Sequence, residues 1–188
     1  MTHPLVSFLA FQVCWFACVG GAARGLPWIG PLTVAAFVAA HLWSTPRGRL
    51  RAAQAWLLGL TGAIGYVADS LLVISGVLRF PPQAALGGPA ALWMVALWMV
   101  QAATFSGAMS WMAGRFTVGA VFGAIGGPLA YLAGERMGAA FLGPTHAVAI
   151  GVVAVEWGLA MPLLLWIERR ARSGLSTARL ETPGPLVS

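Results

Sequence analysis

Long apolar runs separated by short polar breaks fill most of this chain. A helix needs roughly 20 apolar residues to cross the hydrocarbon core of a bilayer, which is about 30 Å thick. Six runs of about that length predict helices over residues 5–22, 26–43, 55–78, 92–113, 116–133 and 145–167. The runs are continuous, whereas the strands of a membrane barrel alternate apolar and polar positions over about ten residues, so helices are expected. The breaks suit this division. Arg24 and Gly25 form the first, Arg47, Arg49 and Arg51 the second, and Arg79 with the Pro- and Gly-rich stretch 80–89 the third. Arg115 marks the fourth, and Glu135 and Arg136 open a fifth connection that reaches Pro144. The expectation is an all-α, polytopic membrane helix bundle with six transmembrane helices. It occupies residues 1–172 as one domain, and residues 173–188 read as a disordered tail.

Composition supports the class: 59% of residues are hydrophobic and only 9% are charged, where a soluble domain carries about 25% charged residues. The formal charge of +6 does not indicate nucleic acid, because all eleven basic residues are arginines placed mostly in the breaks and the tail. That placement encodes topology. Eight arginines (47, 49, 51, 115, 169, 170, 172 and 179) fall on one side of the six-helix scheme and three (24, 79 and 136) on the other. The positive-inside rule then puts both termini in the cytoplasm, and Trp43, Trp56, Trp111 and Trp166 form one interfacial belt opposite Trp28 and Trp93. The amino terminus lacks the basic region of a secretory signal, so the first helix is expected to stay. The absence of lysine suits a GC-rich genome, and a bacterial inner membrane is the expected location.

Against this apolar background a few polar residues stand out. Asp69 and Glu156 are lone acids inside predicted helices, and a carboxylate at the bilayer centre costs roughly 3 kcal/mol or more. Both are therefore expected to face protein or a water-filled cavity. Gln101 lies at a similar depth on the fourth helix, and Gly126-Gly127-Pro128 is expected to break the fifth at about the same level, leaving backbone carbonyls free. Transporters build sites from unwound backbone of this kind. A polar layer of Asp69, Glu156, Gln101 and those carbonyls is the candidate substrate- or proton-binding site, with Gln12 on the first helix. Burial disfavours the charged form of an acid, which makes proton coupling a natural expectation. The plainer alternative is structural: a glycine-proline kink for close packing, and amides and acids that hold helices in register.

Other chemistries find little support. Three histidines spread over the chain make no haem-bridging or di-iron set, and no metal motif occurs, so neither metal nor cofactor is expected. Cys14 and Cys18 share a helix face but lack the two further soft ligands of a tetrahedral site, and a disulfide within a helical turn is strained. They read as small packing residues. His41 and His146 read as interfacial residues satisfied by water or backbone. Ser106 or Ser110 with His146 makes a poor hydrolase, because the residues fall toward opposite sides. No phosphate loop or dinucleotide fingerprint is present.

Several strings carry a resemblance: Phe11 to Phe16, Ala68-Asp69-Ser70-Leu71 with Gly76-Val77-Leu78, Leu92-Trp93 with Leu97-Trp98, and above all Gly123 to Tyr131 with Gly134 and Gly138-Ala139. Together they resemble an uncharacterised bacterial family of small inner-membrane proteins, a domain of unknown function marked by a GxxGGPLxY stretch. The resemblance covers about 6–165. It implies a polytopic inner-membrane protein and draws attention to Gln12, Trp15, Asp69, Trp98, Gly126, Gly127, Pro128 and Tyr131. It also implies a neighbourhood of enzymes that modify membrane fatty acids, and with it membrane lipid as a partner. Three functional readings follow. The first is a small carrier or lipid-binding protein for an apolar or amphiphilic substrate, the second a membrane-embedded enzyme or accessory subunit of lipid modification, and the third a structural partner of another membrane protein.

Overall fold

The structure, a computed structural model, describes residues 3–143 and 145–180, with only the helical backbone over 173–180. It is an all-α bundle of six helices, α1 (Pro4–Ala23), α2 (Ile29–Ser44), α3 (Arg49–Ile74), α4 (Leu92–Thr104), α5 (Phe116–Met137) and α6 (His146–Leu180). Two short strands, β1 (Leu78–Arg79) and β2 (Phe141–Leu142), pair antiparallel. This pairing brings the end of α3 together with the α5–α6 connection. The α1–α2 turn lies at the same end, where Gly25 faces Gln83 of the α3–α4 loop. Below, this is the loop end, and the opposite one, where α1 starts, is the far end.

Helices α1, α3, α5 and α6 are long and apolar enough to cross a membrane, whereas α2 and α4 are shorter apolar helices. Large apolar side chains such as Phe16, Leu32, Leu71, Ile74, Val155 and Leu159 face outward from the bundle. Such a surface is costly in water and suits hydrocarbon surroundings, so the fold fits a membrane protein.

Local chemistry explains where the helix ends depart from the hydropathy pattern. α3 stops at Ile74 and not at 78, because Ser75 Oγ bonds back to the Leu72 carbonyl and Gly76 takes a positive φ of 76°. Leu78 is thereby released to pair with Leu142. α4 ends at Thr104 instead of 113. Thr104 and Ser106 return their hydroxyls to the Gln101 and Ala103 carbonyls, and Gly107 and Met109 then turn onto the Thr104 carbonyl. A 3-10 turn at Ser110–Met112 completes the passage to α5. α6 remains helical to Leu180, across the first part of the segment expected as a tail, while 181–188 lie outside the described residues. Pro144, at the end of the fifth connection, also lies outside them.

The expected break in α5 does not occur. The helix runs unbroken through Gly126-Gly127-Pro128, and its glycines serve packing instead. Gly119, Gly123 and Gly127 recur every four residues and so share one face. A Cβ on them would meet Leu165 Cδ1 at 2.5 Å, the Trp157 carbonyl oxygen at 2.2 Å and Trp157 Cγ at 2.4 Å. α5 therefore lies directly on α6, as small residues permit between membrane helices. On α1, Cys18 packs against Gly30 of α2 at a similar approach, 2.5 Å from its Cα to a Cβ placed there. Both cysteines are free and buried.

One member of the expected aromatic belt is misplaced by the sequence pattern. Trp93 is 1% exposed, and its indole N–H donates to the Ala84 carbonyl at 3.0 Å. The loop between α3 and α4 folds over it, so it belongs to the core.

Candidate functional site

Asp69 has a donor on each of its carboxylate oxygens. It is fully buried on α3, where its Oδ2 accepts the indole N–H of Trp98 from α4 at 2.9 Å and its Oδ1 accepts the hydroxyl of Tyr131 from α5. Three helices thus converge on one carboxylate. The geometry begins with Gly65, one turn before Asp69. A Cβ there would lie 2.0 Å from Trp98 Cγ, so only a bare backbone lets the indole lie against α3 and reach the acid. The other face of Trp98 stacks on Trp157 of α6, with centroids 4.4 Å apart and planes at 21°. Trp157 in turn rests on Gly127 and Gly123. The two indoles therefore fill a slot cut by glycines on α3 and α5.

Glu156 is placed differently. Both carboxylate oxygens are buried and have no hydrogen-bond partner among the described residues. Asp69 and Tyr131 lie within electrostatic reach of it. Two acids so placed in a medium of low dielectric make simultaneous ionisation the costliest state.

The polar residues occupy two levels. Asp69, Trp98 and Tyr131 lie within about two helical turns of the loop-end termini of their helices, whereas Gln12, Gln101, Gly127 and Glu156 lie about three turns in, roughly 14–17 Å by helix rise. The sequence had suggested a single layer.

A cavity of about 390 Å³ lies among α1, α4, α5 and α6. Its wall is mostly aromatic and aliphatic, with Gln12, Gln101, Thr104 and Tyr131 as the uncharged polar side chains. Gly126 and Gly127 also line it, while Asp69, Glu156 and Pro128 do not. Asp69 stands directly behind the wall, since both of its donors, Trp98 and Tyr131, face the cavity. Gln101 is held by sulfur: its amide N–H₂ approaches Met109 Sδ at 3.0 Å and Met161 Sδ at 3.8 Å. Thioethers are weak acceptors, so this amide can exchange them for a better partner at small cost. On α1, Phe8 and Phe16 at the cavity edge are exposed to the outside of the bundle.

The histidines have protein partners. His146 Nε2 meets Glu135 Oε2 at 2.7 Å, while Glu135 Oε1 accepts the Leu142 N–H at 2.8 Å, closing the loop end. His41 approaches Gln54 Oε1 at 3.4 Å. Among the described residues no group of three or more His, Cys, Asp or Glu is placed to hold a metal ion.

Sequence reasoning from the residues alone missed Trp157, Gly65 and the Gly119-Gly123-Gly127 face, and it reached Trp98 and Tyr131 only through resemblance. The four-residue spacing of small residues on α5 was a readable signal for the packing face. Nothing in the spacing of Gly65 and Trp98 shows that they meet.

The fold and site define an apolar six-helix bundle that fits a membrane protein, with a buried acid held behind the wall of an internal cavity. No curated protein and no solved structure matches the chain. Residues 4–163 match a family described as a protein of unknown function (DUF2878), and the chain belongs to that family.

Proposed function

We propose that this is a small carrier or lipid-binding protein of the bacterial inner membrane that takes an apolar or amphiphilic molecule into the cavity. The observation that carries this reading is the cavity wall, which is mostly apolar and carries few polar side chains, among them the hydroxyl of Tyr131 anchored by a buried carboxylate. Pockets of 300–1,000 Å³ with few, well-placed polar groups are typical of small-molecule sites. Gln12, Gln101 and Tyr131 would meet the ligand, and Asp69 acts through Tyr131 and Trp98. Glu156 is the second acid of the site, and transfer of a proton at this pair is the coupling event. All six helices cross the membrane, α2 and α4 with the help of their flanking turns, and the arginine-rich far end faces the cytoplasm.

A membrane-embedded enzyme of lipid modification is the second reading, favoured by the same observation: a hydroxyl whose proton is directed at a carboxylate presents an acceptor to a bound substrate, with Asp69 as the base behind it. The test shared by both readings uses the full chain extracted in native lipid discs. Mass spectrometry should find an apolar or amphiphilic molecule retained at near-equal stoichiometry, and Gly126→Phe should lose it. A Cβ at Gly126 meets only Phe122 Cε1, at 3.8 Å, so the larger side chain enters the cavity without a backbone clash. Identical co-purifying molecules in both forms would refute cavity binding.

A further inference from the structure

A second hollow, about 630 Å³, lies on the outward face of α5. It is lined by Trp111, Thr117, Val118, Val121, Phe122, Ile125, Gly126 and Leu129, of which Val121, Ile125 and Leu129 are well exposed. Phe122 and Gly126 belong to both hollows. These two residues, one turn apart on α5, are therefore the partition between the inner cavity and the surroundings of the bundle. Gly126 contributes no side chain to it. What separates the two spaces is the ring of Phe122, itself 42% exposed and set edge-on to Trp111 with centroids 6.5 Å apart. A half-exposed aromatic ring with one aromatic neighbour changes rotamer on a fast timescale, far faster than helices separate.

We infer that Phe122 is a side gate through which one acyl chain of a membrane phospholipid passes from the α5 groove into the inner cavity. This rests on the ligand-binding reading above and names its ligand class and its route. Three observations select the occupant. Among the described residues neither hollow is lined by a charged side chain, so the inserted part is uncharged. The inner cavity runs along α1 from Phe8 to Val19 and along α5 from Phe122 to Gly134, roughly 17 Å by helix rise, the proportions of an extended chain and not of a compact solute. At the far end of the groove Arg115, exposed where α5 begins, offers a positive charge to a phosphate that stays at the membrane surface. The chain already lies in hydrocarbon, so what draws it in is van der Waals contact with a cavity wall that otherwise lacks partner atoms on one side.

The test places the full chain in nanodiscs containing phosphatidylglycerol with a diazirine at the middle of one acyl chain, and maps the photolabelled peptides after increasing times. Wild type should be labelled on the groove residues Val121 and Ile125 and also on the cavity residues Trp98 and Gln101. Gly126→Phe should keep the groove label and lose cavity label by about tenfold, because the added ring takes space that the chain would fill. Phe122→Ala, a change at a half-exposed position that leaves the packing face toward α6 intact, should reach its final cavity label severalfold sooner. Equal cavity labelling in wild type and Gly126→Phe would count against binding in the cavity, and an unchanged time course in Phe122→Ala would overturn the gate while leaving lipid binding in place. Cavity labelling by a single-chain diazirine fatty alcohol but not by the phospholipid would overturn the acyl-chain assignment and keep the binding reading. No cavity label from either probe would overturn both.

Discussion

Asp69 and Glu156 look alike in the sequence, each a single acid in an apolar helix, yet their surroundings are opposites. Asp69 receives two donors from two other helices and has no exposed surface. Glu156 keeps two buried oxygens without a partner among the described residues. A buried carboxylate is tolerable where donors stabilise its charge and costly where they do not. The first acid is therefore a structural hub that also presents Tyr131 to the cavity, and the second is an unspent polar group. An acid in a membrane helix signals that something must compensate it, but whether the compensation comes from the fold or from elsewhere is a matter of neighbours.

Four substitutions sharpen this contrast. Asp69→Ala should have the largest effect, because it leaves the Tyr131 hydroxyl and the Trp98 indole N–H buried and unpaired. A loss of about 2–4 kcal/mol is expected in equilibrium unfolding from detergent micelles. Asp69→Asn, which keeps an acceptor, should lose less. Tyr131→Phe removes one donor and leaves the other. Its expected cost is about 1 kcal/mol by the same unfolding measurement, with the cavity wall otherwise unchanged. Glu156→Leu should have the smallest effect, a change within about 0.5 kcal/mol or a slight gain, since no hydrogen bond is lost and an orphaned polar group is removed. A loss at Glu156 as large as at Asp69 would erase the distinction, and so would an unchanged stability on replacing Asp69.

Much of the fold was legible. Apolar runs long enough to span a bilayer mark the helices wherever arginine or glycine interrupts them, because charge and chain reversal are excluded from hydrocarbon. The ends of α3 and α4 were not legible from hydropathy. They are set by Ser75, Gly76, Thr104 and Ser106, whose hydroxyls or backbone freedom matter only once the local chain has begun to turn. Gly126 and Gly127 stood out in the sequence, but the local structure they form is not the expected break. Proline inside a helix suggested unwinding, while α5 stays helical through it, with Trp157 seated closely on Gly123 and Gly127.

By itself the sequence determined the class of architecture, the number of helices and the few polar residues that an apolar interior has to accommodate. Those follow from the energetics of single side chains and single segments, which depend little on what lies opposite. Only the tertiary structure decided that Trp98 and Tyr131 serve Asp69, that Glu156 has no donor among the described residues, and that Phe122 and Gly126 border both the inner cavity and the hollow on the outer face of α5. Each of these is a contact between residues distant in the chain, and such contacts are selected by the fit of whole helices packed together.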